Sequence, residues 1–206
     1  MFDTKYLNKY LAILILFLST ISFGACNGIH ISGDNDLQII KEKSFNISPG
    51  KDLIVDISSG DVMVTYWDKT EVYLKILGNE NAMEKMEFTL DGNEDMVRVG
   101  GEKKSSVTSW FSNIDVEIEI KVPAEFNVSA KTSDGDIKYR GISGDAKLNT
   151  SGGNVWGDKF KGSLNISTSG EDIFLFGSDA KIFAETSGGN IKLDYSGENK
   201  GIDLST

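Results

Sequence analysis

The chain has 206 residues but only one cysteine and one histidine. With Cys26 alone, no disulfide can form within the chain, and stability must come from packing. His30 lies in a Gly/Asp/Asn-rich stretch ahead of the patterned sequence, which removes any histidine-based triad or metal site from the fold. Basic charge is also scarce: 21 Lys and Arg stand against 31 Asp and Glu, a net charge of −10. That balance speaks against nucleic acid as a partner and against adsorption to anionic lipid.

The first 25 residues read as an export signal. Lys5 and Lys9 precede the apolar run Leu11–Leu18, and Gly24-Ala25 stand before Cys26. A cysteine in that position resembles the bacterial lipobox, in which it is diacylated and becomes the new N-terminus; Phe23 departs from the usual leucine. The alternatives are an ordinary secretory signal or an uncleaved membrane helix. Losing Lys5, Lys9 and Asp3 leaves 19 basic and 30 acidic residues, a balance of −11. Membrane attachment would then rest on the acyl chains at Cys26. Residues 26–43 read as a tether.

Beyond the tether the sequence repeats. TSGGN occurs at Thr150–Asn154 and again at Thr186–Asn190, with TSDGD at Thr132–Asp136 and TSGED at Thr168–Asp172, so the starts fall 18 residues apart. Apolar and small residues alternate on both sides of each copy, the period of strands. Val128/Ala130/Thr132, Ala146/Leu148/Thr150, Leu164/Ile166/Thr168 and Ile182/Ala184/Thr186 precede the turn; Ile137/Tyr139, Val155/Gly157, Ile173/Leu175 and Ile191/Leu193 follow it. A fixed period of this length marks stacked repeats, each hiding its apolar face against the next. The expected fold is all-β: a β-solenoid with 18-residue coils, built from two strands and two corners or from three shorter strands.

At the corner, Gly135, Gly153, Gly189, Asn154 and Asn190 are expected to supply left-handed backbone. Thr132, Thr150, Thr168 and Thr186, with the Asn/Asp column, are expected to hydrogen-bond to their own copies. Glu171 stands where the other copies have glycine, so not every corner needs that backbone. A shorter variant, Ile57–Val62, suggests a first coil. Residues 44–127 then comprise that coil plus an antiparallel β section covering it, ending in the alternating Ile114–Val122 and Pro123. Residues 128–206 are the repeats. Ile202–Thr206 falls in phase with the strand at Ala184, so either the repeats continue in a longer protein or another chain covers the edge.

The SSGDV motif, the strand ending in Val122-Pro123 and the reiterated TSGGN resemble the bacterial putative-adhesin family of β-strand-repeat proteins, over roughly residues 45–206. The resemblance implies a right-handed β-helix in a surface or envelope protein, with no catalytic residues to carry over. Adhesin-like recognition or scaffolding is the first functional expectation; envelope-stress sensing is the second. No cofactor is implied.

Three chemical readings remain. Asp136, Lys138 and Arg140 have the residue types of a polysaccharide-lyase set, although all three fall at outward positions where solvated charge is ordinary. The corner column Asp136, Asn154, Asp172, Asn190 invites calcium, yet half of it is neutral amide and the GGxGxD signature is absent. If Val155, Ile173 and Leu175 point inward, Trp156, Phe174 and Phe176 point outward, with Lys138 and Lys192 on either side. Such an aromatic strip flanked by cations would contact a glycan or an envelope protein, unless it packs on a loop. Trp110-Phe111 is a weaker candidate of the same kind, and the sequons at Asn46, Asn127, Asn149 and Asn165 carry no meaning in a bacterial protein.

Overall fold

A computed structural model describes residues 37–104 and 113–206. The expected signal, Cys26, His30 and Trp110-Phe111 lie outside them. Strands β1 (Gln38–Asn46), β2 (Asp52–Ile57), β3 (Asp61–Tyr66) and β4 (Glu71–Gly78) lead to a short helix α1 (Glu80–Lys85). Then come β5 (Met86–Gly92), β6 (Met96–Lys103), β7 (Val116–Val122), β8 (Asn127–Thr132) and β9 (Ile137–Arg140). The remainder is β10 (Ser143–Thr150), β11 (Val155–Asp158), β12 (Lys161–Thr168), β13 (Ile173–Ser178), β14 (Ala180–Thr186), β15 (Ile191–Ser196) and β16 (Ile202–Ser205). The fold is all-β, two eight-stranded sheets of mixed parallel and antiparallel pairing. The first runs β1-β4-β7-β3-β9-β11-β13-β15 and the second β5-β6-β2-β8-β10-β12-β14-β16.

Alternation explains why these segments are strands. In β10, Ala146, Leu148 and Thr150 are buried while Asp145 and Lys147 are exposed. Ala146 pairs with Val128 on one side and Leu164 on the other, and Leu164 with Ile182. In the first sheet Val155 stands between Ile137 and Ile173. Each of these partners lies 18 positions along the chain, so like side chains meet in columns and a single apolar core fills the space between the sheets.

The section between β3 and β8 differs from an antiparallel cover. β7 runs parallel to β3, with Ile118 and Ile120 opposite Val62 and Val64; β6 runs parallel to β2, with Val97 and Val99 opposite Leu53 and Val55. Only β1, β4 and β5 are antiparallel. Alternation reveals which face is apolar but not strand direction, and no TSGGN copy occurs in the sequence between β6 and β7.

Two further boundaries shift. Gln38–Lys43, expected in the tether, belong to β1, which pairs with β4. Its Lys41 and Lys43 stand opposite buried Ile76 and Leu74 and donate their Nζ to the Phe88 and Leu90 carbonyls of β5 across the gap between the sheets. Inward lysines on an edge strand close that end and discourage further pairing. At the other end Ile202 pairs with Ile182, and Leu204 with Ala184, so β16 is two residues out of the expected phase. The longer connection Gly197–Gly201, with positive φ at both glycines, absorbs the difference; a shift of two keeps the same side chains inward.

The corners are held by side chain to backbone bonds. Each threonine hydroxyl donates to a carbonyl in the neighbouring turn: Thr132 to Gly60 (3.0 Å), Thr150 to Gly135 (2.8 Å), Thr168 to Gly153 (2.9 Å) and Thr186 to Glu171 (2.9 Å). The threonines therefore do not bond to one another as expected. The outer column behaves similarly. Asn154 N donates to Asp136 Oδ1 (2.8 Å), Asp172 N to Asn154 Oδ1 (3.2 Å) and Asn190 N to Asp172 Oδ1 (2.7 Å). Here the amide also reaches its own copy, Asn154 Nδ2 to Asp136 at 3.3 Å and Asn190 Nδ2 to Asp172 at 3.2 Å.

Left-handed backbone is not the general reason for the glycines. Gly135 has φ +136°, but Gly153, Gly189, Asn154 and Asn190 have no positive φ. Proximity is the reason: a Cβ on Gly153 would lie 1.9 Å from the Gly135 carbonyl oxygen, and one on Gly189 2.1 Å from that of Glu171. Gly170, two residues after Thr168, faces only ordinary contact, its nearest atom 3.6 Å away. Gly153→Ala should therefore lower the unfolding free energy by about 2 kcal/mol or more, whereas Gly170→Ala should change it by less than about 0.5 kcal/mol. Denaturant unfolding of the two variants checks this.

Candidate functional site

The first sheet turns its alternate residues outward in register. Lys138 on β9, Trp156 on β11, Phe174 on β13 and Lys192 on β15 are consecutive cross-strand partners. The Trp156 and Phe174 rings stack with centroids 5.7 Å apart and planes 13° from parallel, and Lys138 Nζ lies 5.5 Å from the Trp156 ring centre. That separation suits an offset stack and a cation–π contact. Both rings are half-buried, and neither is among the apolar side chains packed against the core. Phe176, two residues beyond Phe174, is 40 % exposed between its register partners Asp158 and Asp194.

The lyase set does not converge. Asp136 Oδ1 accepts from the Asn154 backbone, Arg140 is ion-paired to Asp158 at 3.0 Å, and Lys138 lies over Trp156. In the corner column, Oδ1 of Asp61, Asp136, Asn154 and Asp172 is committed to structure, each accepting a backbone N–H from the next turn. Among the described residues no three His, Cys, Asp or Glu side chains are grouped to hold a metal ion.

A second aromatic cluster escaped the sequence reading. Trp67, at the turn between β3 and β4, tilts 43° against Tyr73 at 5.8 Å; Lys69 Nζ lies 4.3 Å from the Trp67 ring centre, and Lys121 Nζ 5.8 Å from both rings. The Trp67 indole N–H donates to the Glu71 carbonyl, which fixes the ring as a brace across the turn. The local signal was the string YWDKTEVY, in which aromatics flank a turn with a lysine. On the outer face of the second sheet, Asn127, Ser129, Ser163 and Asn165 line a shallow groove together with Ile54 and Lys147, and Phe183 of β14, the register partner of Asn165, is 39 % exposed. The stacked aromatic pair Trp156–Phe174 belongs to the first sheet.

Among the described residues three side chains have displaced pKa values, all moved away from neutrality. The hydrogen bond to Asp95 raises Lys51, the hydrogen bond to Glu42 raises Tyr73, and burial followed by the Asp145 charge lifts Tyr139 well above the usual phenol range. General acid–base chemistry needs the opposite displacement.

No family model and no curated protein sequence matches the chain. Solved structures do. A putative cell adhesion protein from Clostridium sporogenes is 13 % identical, with 82 % of this chain and 99 % of that one covered, at a TM-score of 0.44. A putative lipid binding protein from Parabacteroides distasonis is 18 % identical over 76 % of this chain and 75 % of that one, at 0.37. A putative adhesin from the same species is 12 % identical over 84 % and 98 %, at 0.35. At such distance these likenesses assign no residue a role.

Tyr139 supplies a test of the core beneath the strip. It is 1 % exposed and its hydroxyl has no hydrogen-bond partner. Because its folded pKa lies above the unfolded value of about 10, its contribution is complete below that pH and declines as pH rises through it. Tyr139→Phe should match or exceed the wild type by about 1 kcal/mol at neutral pH, and should lose less stability between about pH 10 and 11, by up to about 1.4 kcal/mol. Denaturation midpoints at both pH values measure the difference.

Proposed function

We propose that the chain is a right-handed β-solenoid of 18-residue coils carried on a lipid anchor at Cys26, and that it acts as a non-enzymatic, adhesin-like recognition or scaffolding module of the cell envelope. The observation that carries this reading is the Trp156–Phe174 stack on the outer face of the first sheet, with Lys138 and Lys192 at its ends. Two rings stacked on each other and held by a rigid sheet form a fixed apolar platform of ring edges, and binding to it costs little in side-chain ordering. Cations at either end add polar reach toward the hydroxyls or carboxylates of a glycan or the acidic groups of an envelope protein. The regular spacing of the strands fixes the platform more firmly than a loop would.

Anchoring follows from the order Phe23-Gly24-Ala25-Cys26 after an apolar run. Diacylation would hold the module at a membrane despite its negative charge, since two acyl chains supply the hydrophobic attachment. Among the described residues no helix is long and apolar enough to cross a membrane.

The replacement of Trp156 and Phe174 by serine tests the platform. The double variant should keep its unfolding free energy within about 1 kcal/mol, because both rings stand outside the core. Its retention on isolated bacterial envelopes should fall by about tenfold, the loss expected when a central aromatic anchor goes. Undiminished retention, or unfolding of the variant, would contradict the proposal.

A further inference from the structure

The outer face of the first sheet carries more than the ring stack. Tyr73 on β4, Lys121 on β7, Thr65 on β3 and Arg140 on β9 are consecutive cross-strand partners, and the row beside them continues from Met63 through Lys138 to Trp156 and Phe174. The first row starts in the Trp67–Tyr73 cluster and the second reaches the Trp156–Phe174 stack. From β4 to β13 there are five strand spacings, about 24 Å. Between the two clusters Lys121, Lys138 and Arg140 are exposed around half-buried Thr65 and Met63, in a chain of net charge −10. The neighbouring acids are engaged: Glu119 accepts from Lys75 at 3.4 Å, and Asp158 from Arg140 Nε at 3.0 Å. Lys121 and Lys138 lie over aromatic rings, and the outer nitrogens of the Arg140 fork remain as donors beyond its ion pair.

The spacing of these cations selects an occupant. Lys121 and Arg140 stand on either side of Thr65, two strand spacings apart, about 9.6 Å at the backbone. An extended pyranose chain crossing the strands advances by close to one spacing per sugar, so carboxylates on alternate sugars return at the interval of the two cations. Alternate side chains of an extended peptide recur at about 6.8 Å, which does not match that interval. The rings favour the same ligand. Stacked on each other, Trp156 and Phe174 turn edges outward, and a ring edge is electropositive, so it meets the oxygens of a sugar acid rather than stacking on the flat of a neutral ring.

We propose that this face binds an extended carboxylated polysaccharide, laid across the strands from the Trp67–Tyr73 cluster over Lys121, Arg140 and Lys138 to the Trp156–Phe174 stack. This ligand class deepens the recognition role proposed for that stack and stands only if the role does. Each exposed charge contact is weak alone, and a repeating ligand gains affinity by making several at once.

Biolayer interferometry of the exported chain, with Cys26→Ser so that no disulfide links copies, compares immobilised polygalacturonate, its carboxyl-reduced neutral form and poly-L-glutamate. Polygalacturonate should be bound about tenfold more tightly than either of the others, and less tightly as salt rises. Lys121→Gln combined with Arg140→Gln should lower that affinity by about tenfold or more, through the loss of two charge-assisted hydrogen bonds. Both side chains are exposed, so the unfolding midpoint should stay at the wild-type value. Equal binding of the three polymers, tighter binding of poly-L-glutamate, or an affinity indifferent to the double variant overturns the proposal. If polygalacturonate is not bound while the Trp156 and Phe174 serine variant still loses its retention on envelopes, the polysaccharide assignment falls and the recognition role stands. Retention indifferent to those two rings removes the role itself, and the assignment with it.

Discussion

Everything in this structure depends on how closely one turn rests on the next. At the TSGGN corner the backbone of Gly153 sits so near the Gly135 carbonyl that no side chain fits between them, and Thr168 then donates its hydroxyl to the Gly153 carbonyl from inside the stack. Close approach and hydrogen bond together fix the vertical spacing and forbid sliding. With sliding forbidden, Val155 must lie on Ile173 and Trp156 on Phe174. The core and the outer aromatic stack are two faces of a single constraint.

The ends of the stack answer a different demand. A stack of strands exposes an unpaired edge wherever it stops. Inward lysines, Phe45 and the short helix α1 finish one end: Phe45 packs against Gly92, and Asn79 caps the helix by accepting from Ala82 N. In the strands at the opposite end, Ile191 and Leu193 are half-buried and Leu204 is 42 % exposed. An acidic surface keeps such molecules dispersed.

The repeats from β8 to β15 could be read from the sequence because Thr and Gly recur at fixed distance and their neighbours alternate. That pattern was enough to place Trp156, Phe174 and Phe176 outward. It was not enough to explain Gly153, since a need for small size and a need for positive φ leave the same letter. β1 was hidden because Lys41 and Lys43 occupy inward positions, which breaks the apolar alternation that marks a strand. α1 spans only six residues, too few for a helical period, and its local signals are confined to the cap at Asn79, Glu80 in the first turn and Lys85 in the last. Parallel pairing of β6 and β7 escaped because direction is a property of tertiary arrangement, and the Trp67–Tyr73 brace escaped because Trp67 lies in a turn, outside the strand alternation that places Tyr73 on β4.

The most direct test of the stacking is a distance between outward residues that are remote in sequence. Asp56, Lys131, Asn149, Ser167 and Glu185 form one cross-strand column on the second sheet. Spin labels placed at Asp56 and Glu185, in a chain whose Cys26 is replaced by serine, should stand about 19 Å apart at the backbone, four strand spacings of about 4.8 Å, with a narrow distribution in pulsed dipolar spectroscopy. A broad distribution, or one centred beyond about 30 Å, where consecutive turns would no longer lie one upon another at that spacing, would contradict the account.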